Sequence, residues 1–103
     1  MPRTRIELDD RLRELLGSNN VYYQPPESIK LKYPCIIYSR DEIDTRRADD
    51  GVYHAINRYE VTIIAKDPDF PLFDTFLFKF PMCSLARTFT IDNLNHYSFT
   101  LYY

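Results

Sequence analysis

Glycine is almost missing from this chain. The two that occur, Gly17 and Gly51, stand far apart. No glycine-rich loop can therefore wrap its backbone N–H groups around a phosphate, which excludes P-loop and dinucleotide-binding chemistry. Cysteine is equally scarce. Cys35 and Cys83 form no CxxC pair and are expected as two sheltered, reduced thiols. Histidine is limited to His54 and His96, whereas zinc needs three or four ligands at close spacing. Asp49 and Asp50 lie near His54 but do not complete such a set. His96 is expected at a strand edge, donating to a backbone oxygen. Apolar runs stay far below the length of a membrane span, and MPRTRIELDD lacks the apolar segment of a secretory signal. The expected setting is a reducing cytoplasm. A formal net charge of −2 provides no field to collect nucleic acid.

What the chain has in excess is aromatic surface: nine Tyr and seven Phe, with no Trp. Tyrosine joins a large apolar ring to a polar tip, which suits surfaces that are wet in one state and covered in another. The 103 residues fit one domain with one modest core, burying roughly 60–70% of the unfolded surface.

Thr4-Arg5-Ile6-Glu7 fits a capping box. Leu8, Leu12, Leu15 and Leu16 then form one helical stripe, and Gly17 ends it, so a helix is expected over 4–16. Val21-Tyr22-Tyr23 reads as a brief strand stopped by Pro25-Pro26. Residues 24–32 read as a stiff connector, with Pro34 admitting a second strand, Cys35 to Arg40. Residues 41–56 are polar and are expected as a long charged loop. In Arg58 to Lys66, Tyr59, Val61, Ile63 and Ala65 alternate with Arg58, Glu60 and Thr62, the pattern of a strand with one wet face. Ile64 breaks the alternation. Asp67-Pro68-Asp69 marks a turn. Phe73, Phe76, Leu77 and Phe80 predict a helix of about 70–80, closed before Pro81, with Phe78 off the stripe and pointing outward. Ser84–Thr90 and His96–Tyr103 complete the strands, joined by 91–95. The expected fold is α+β: a mostly antiparallel sheet of four to five short strands with two helices packed on one face. The other face would carry Arg58, Glu60, Thr62, Lys66, Thr88 and Thr100.

No catalytic constellation accompanies these elements. Cys35 lies in an apolar strand and Cys83 follows Phe80-Pro81-Met82, neither an electropositive setting that would activate a thiol. The chain is not expected to be an enzyme, nor to hold a metal or cofactor.

The stretches Leu16-Gly-Ser-Asn-Asn-Val-Tyr-Tyr-Gln-Pro-Pro-Glu-Ser28, Leu31-Lys-Tyr-Pro-Cys-Ile-Ile-Tyr38, Asn57 to Asp69 and Phe89 to Tyr103 together resemble the tail terminator (tail completion) proteins of long-tailed bacteriophages. The likeness runs nearly end to end, with 41–56 the least diagnostic part. It implies a structural virion protein at the tail–neck junction, assembled in the bacterial host cytoplasm. Such a subunit typically forms a six-membered ring on the finished tail tube. The ring stops tube polymerisation and offers a surface to a neck or head completion protein, so that head and tail join. DNA passes through its lumen without specific binding. On this resemblance, the expected subunit or partner interface includes Tyr22, Tyr23, Pro25, Pro26, Phe78 and Tyr102. Pro25 and Pro26 would reduce the entropy lost on docking. Asp41, Glu42, Asp44, Arg46, Arg47, Asp49 and Asp50 are expected to face the lumen or a neighbouring subunit, where acidic groups repel phosphate. Two other readings stay open. One is a head-side neck or stopper protein (a head–tail connector), since small α+β folds serve many roles. The other is a single-stranded nucleic-acid module stacking bases on Tyr59, Phe89, Tyr97 and Phe99.

Overall fold

Leu8 and Leu12, one helical turn apart, are both fully buried. They anchor α1 (Arg5–Leu16) to one face of a sheet. The computed structural model describes residues 5–48 and 51–103, and of 41–48 and 51–56 the backbone path. Thr4 of the expected capping box lies outside the described residues. The helix ends as expected at Gly17, whose φ of +77° suits a residue without a side chain and whose N–H donates to the Arg13 carbonyl at 2.9 Å.

The strands are β1 (Val21–Tyr23), β2 (Cys35–Ala48), β3 (Gly51–Ala65), β4 (Cys83–Ile91) and β5 (Leu94–Tyr102). They form one sheet in the order β1-β2-β3-β5-β4. Only β1–β2 is parallel; the other neighbours are antiparallel. The α+β fold with a mostly antiparallel sheet is therefore present. The second helix is shorter than the expected 70–80. It is α2 (Pro71–Thr75) followed by a 3₁₀ turn, Phe76–Phe78. Pro71 opens it at a position where a missing N–H costs nothing.

The alternation in β3 reads out as expected. Tyr59, Val61, Ile63 and Ala65 are buried on the helix side. Across from them on β5 stand Leu101, Phe99, Tyr97 and Asn95. Aromatic contacts join both helical segments to this face: Phe73 stacks on Tyr97 at 4.0 Å, and Phe76 meets Phe99 at 4.8 Å. Ile64 faces the other side opposite Cys35, yet both are buried. The connector between β1 and β2 runs along that side, since the Lys32 N–H donates to the Tyr22 hydroxyl at 3.5 Å. A parallel pair of adjacent strands needs a crossover, and this one supplies cover that the single-sequence pattern does not reveal.

Two expectations are corrected. Residues 41–56 are not a loop between strands. The backbone of 41–48 continues β2 and that of 51–56 belongs to β3, paired from Glu42↔Arg58 to Ala48↔Gly51. Pairing between β3 and β5 stops at Arg58↔Tyr102. Beyond that point the hairpin is a two-stranded arm outside the main sheet, and the molecule measures 51 × 28 × 23 Å. Such a ribbon has no face that must be apolar, so the alternating signal of a strand disappears there. A register shift between Arg40 and Glu42 falls where the arm leaves the body.

The second correction concerns Thr88. A register shift between Leu85 and Arg87 turns β4 over. Leu85 pairs with Phe99 on the helix side, whereas Arg87 pairs with Ser98 on the other side. Thr88 therefore shares the side of Tyr97, not that of Thr100. One bulged residue inverts every later side chain of a strand. The turn from β4 to β5 is tight, with positive φ at Asp92 and Asn93, as a two-residue hairpin with right-handed strand twist requires.

Candidate functional site

The expected interface residues fall into two groups at opposite edges of the sheet. Tyr22 and Tyr23 belong to β1 at one edge, while the 3₁₀ turn that carries Phe78 lies against β4 at the other, with Met82 next to it. Phe78 is 84% exposed, as its position off the apolar stripe predicts. Met82 and Leu85 beside it are each nearly half exposed, and the 3₁₀ turn packs against β4. The Met82 carbonyl accepts from the Tyr102 N–H at 2.9 Å, which places Tyr102 at this end. An apolar rim thus continues the core outward to the free side of β4.

The other group is partly occupied within its own chain. Tyr23 packs on Tyr38 with ring centroids 4.9 Å apart, and the Arg5 guanidinium lies 4.5 Å over its ring. Tyr22 is half-buried under the connector. Pro25 is half-buried and Pro26 exposed, with the Pro26 carbonyl closing a turn to the Ile29 N–H at 3.1 Å. Sequence reasoning placed these residues on a docking surface without seeing that Tyr23 serves the core.

Asp41, Glu42, Asp44, Arg46 and Arg47 lie along β2 where it becomes the arm. Asp49 and Asp50 lie outside the described residues. His54 stands in the arm, in register with Arg46.

Edges matter here because strands at the rim of a sheet present unpaired N–H and C=O groups. Among the described residues, β4 pairs only with β5, so one edge of all nine residues is open. Among the described residues, β1 covers β2 only at Ile36–Tyr38, leaving the outer edge of β2 open from Ser39 to Ala48; on the other side of the arm, 51–56 of β3 have no second neighbour either. Sequence reading missed both edges, since strand order is not encoded in any local pattern.

The side away from the helices carries a polar array. Ser98 is buried, and its Oγ donates to Glu60 Oε1 at 3.1 Å and lies 3.3 Å from Thr62 Oγ1. Arg87 approaches Glu60 at 3.7 Å and sits 5.1 Å over the Phe89 ring. Phe89 stacks on His96 at 4.6 Å, and His96 Nδ1 donates to the Leu94 carbonyl at 3.1 Å, the expected bond to a backbone oxygen, although β5 lies between β3 and β4 and is not an edge strand. With Ser98 donating to a carboxylate and His96 committed to a carbonyl, no nucleophile–base pair is set up here.

Both cysteines are free. Burial pushes the Cys35 thiol up to about 12 and the half-buried Cys83 thiol up to about 11, so both stay protonated at neutral pH. Cys83 is more open than expected. Among the described residues, no three His, Cys, Asp or Glu side chains gather as a metal site, and no helix is long and apolar enough to cross a membrane. The groove between α1 and α2, about 640 Å³, is lined by Arg11, Leu15, Phe70 and Lys79 among others. Arg11 is already committed there, lying 4.4 Å over Phe80 and donating to the Lys79 carbonyl at 2.9 Å.

The four aromatics considered as a base-stacking platform do not form one. Tyr59 and Phe99 are fully buried, Tyr97 is stacked on Phe73, and Phe89 faces the opposite side with His96. Set against protein-family models and against curated proteins, the chain matches none.

Proposed function

We propose that this chain is the repeating subunit of a tail-terminator ring: it caps the tail tube of a long-tailed bacteriophage, stops tube polymerisation and presents the surface on which the neck docks. The observation that carries this reading is the pair of dissimilar open edges on opposite sides of one small sheet. Head-to-tail assembly joins one patch to a different patch on the next copy, and it closes into a ring when the rotation permits. A subunit with two like edges would instead favour a two-fold dimer. The sequence resemblance supplies the identity of the assembly, typically six-membered, and the passage of DNA through its lumen. The exposed Phe78, Met82 and Leu85 give apolar area for an obligate contact, whose centre is more apolar than ordinary surface. In this reading, the acidic residues Asp41, Glu42 and Asp44 line the lumen or the seam between subunits.

Negative-stain imaging of the purified protein, alone and mixed with tail tubes, tests the proposal. Rings, or tubes capped at one end, are the expected result. Binding to a head-side neck protein with no affinity for tubes would move the subunit to the head side of the junction. A protein that stays monomeric and leaves tubes uncapped would overturn the reading.

A further inference from the structure

We infer that neighbouring copies join by extending one sheet into the next: the outer edge of the β2 arm, Ser39–Ala48, pairs with the free edge of β4, Cys83–Ile91, on the adjacent subunit. The inference rests on the ring reading and names the surfaces that would build it. Its occupant is a second copy of this chain.

Three features select this pairing. The open stretch of β2 and the nine residues of β4 are similar in length, so the unpaired backbone groups of one edge can be satisfied by the other. Both edges otherwise stay exposed to water; charges and register shifts guard parts of them, but the two strongest blocks to pairing are missing. Proline is absent from β4 and from 39–48, and lysine is absent from both.

Charge chooses the mate. β4 carries a single charged residue, Arg87, whose side chain is 65% exposed. Arg87 is the central residue of Cys83–Ile91. A two-fold antiparallel pairing of β4 with its own copy, centred on the strand, would set Arg87 against Arg87, and like charges directly opposite are destabilising. The open β2 stretch holds Asp41, Glu42 and Asp44 at its middle, between Arg40 on one side and Arg46 and Arg47 on the other, so it offers a strand with one cation the acidic positions that a second β4 lacks. The pairing is therefore heterologous, as a ring requires.

The apolar rim adds a packing contribution. Phe78, Met82 and Leu85 border the β4 edge, so a strand added there shields them. In strand addition, backbone hydrogen bonds provide attachment and neighbouring side chains provide choice.

Disulfide trapping tests this. In a Cys83→Ser background, one cysteine is placed on the arm (Ile43→Cys, Thr45→Cys or Arg47→Cys) and one on β4 (Thr88→Cys or Thr90→Cys). Paired strands bring Cβ atoms within the span of a disulfide, about 3.8 Å. Mild oxidation of assembled rings should give a ladder of cross-linked species in at least one double variant. Every single variant should stay uncross-linked. Cross-links in an Ala86→Cys/Thr88→Cys variant with no cysteine on the arm, positions that centred two-fold pairing would set opposite each other, would show β4 pairing with itself and overturn the inference. Rings that assemble normally while no double variant cross-links would also overturn it, leaving the ring reading intact. Failure of the parent background to form rings, alone or on tubes, would remove both.

Discussion

The Tyr38 hydroxyl on β2 donates to Oδ2 of Asp9 on α1, while Arg13 Nε holds Oδ1 of the same carboxylate and Arg5 Nη1 reaches the Tyr38 oxygen at 3.2 Å. This node locks the helix to the sheet. Burial acts to raise the Asp9 pKa, but hydrogen bonds from Arg13 and Tyr38 outweigh it, and the carboxyl is held below its ordinary value. The sign of the pH effect follows. A carboxylate with a depressed folded pKa contributes stability above its unfolded pKa, near ~4, and loses it as pH falls through the folded value. Asp9→Asn should lower unfolding free energy at pH 7 by about 1–3 kcal/mol, the range for hydrogen bonds to a charged group. Urea titrations at falling pH should show the gap to wild type closing below ~4.

The neighbouring tyrosine behaves in the opposite way. Tyr59 lies 6.1 Å from Tyr38 between ring centroids, but its buried hydroxyl makes no hydrogen bond of good geometry among the described residues, the Asn57 side chain being the polar group that acts on it. An unpaired buried hydroxyl costs free energy that its removal returns. Tyr59→Phe should be neutral or raise stability by up to ~1–2 kcal/mol, whereas Tyr38→Phe should lower it by ~1–2 kcal/mol. Thermal denaturation of the two variants side by side makes the comparison.

The contrast between these tyrosines shows what could be read from the chain. Alternation placed Tyr59, Val61, Ile63 and Ala65 on one buried face, because burial on one side leaves a period of two. The leucine stripe located α1, and the stop at Gly17 followed from backbone freedom. Thr88 lies on the face opposite to the one simple alternation gives it, because a bulge is a one-residue event with no compositional mark. The arm is illegible because a ribbon outside the core keeps no apolar alternation. The two open edges could not be read at all. They depend on strand order, which is fixed by long-range pairing such as Val61↔Phe99. Phe78 was legible as an outward residue, but its closeness to β4 was not.

Thiol labelling separates the two cysteines. Only the thiolate attacks an alkylating reagent. Burial moves the Cys83 thiol from 9.0 to about 11, which lowers its thiolate fraction at pH 8 by about 100-fold relative to an unperturbed thiol. Cys35 is fully buried and higher still. Iodoacetamide on the native protein should modify Cys83 slowly and leave Cys35 untouched until unfolding, as mass spectrometry of peptides would record. Equal labelling of both would contradict the full burial of Cys35.

Phe78 should matter to assembly and not to folding. At 84% exposure its ring contributes little to the core, so Phe78→Ser should change unfolding free energy by no more than ~0.5 kcal/mol, the usual range for surface positions. If the apolar rim is part of the contact between copies, the same variant should shift the ring-to-monomer midpoint to at least tenfold higher protein concentration, a change of about 1.4 kcal/mol. Light scattering over a dilution series measures it. An unchanged midpoint would take Phe78 out of the interface.

The arm offers the sharpest separation of fold from assembly. Beyond Ile43↔Asn57, where the Asn57 carbonyl still accepts from the Tyr103 N–H at 3.0 Å, it pairs among the described residues only with itself, and a two-stranded ribbon alone is marginal in water. Replacing residues 44–56 by an Asn-Gly turn would close Ile43 onto Asn57 with the two-residue geometry that hairpins favour. The body keeps α1, the remaining sheet and the aromatic contacts of Phe73 and Phe76, so the shortened protein should melt cooperatively within a few degrees of the parent, a loss of no more than ~1 kcal/mol. It should also fail to form rings or cap tubes, because one of the two mating edges is shortened. Circular dichroism melting and imaging with tail tubes would read the two properties independently. A shortened protein that still caps tubes would show that the arm faces elsewhere, and that the edge beside β1 or the apolar rim is sufficient for assembly.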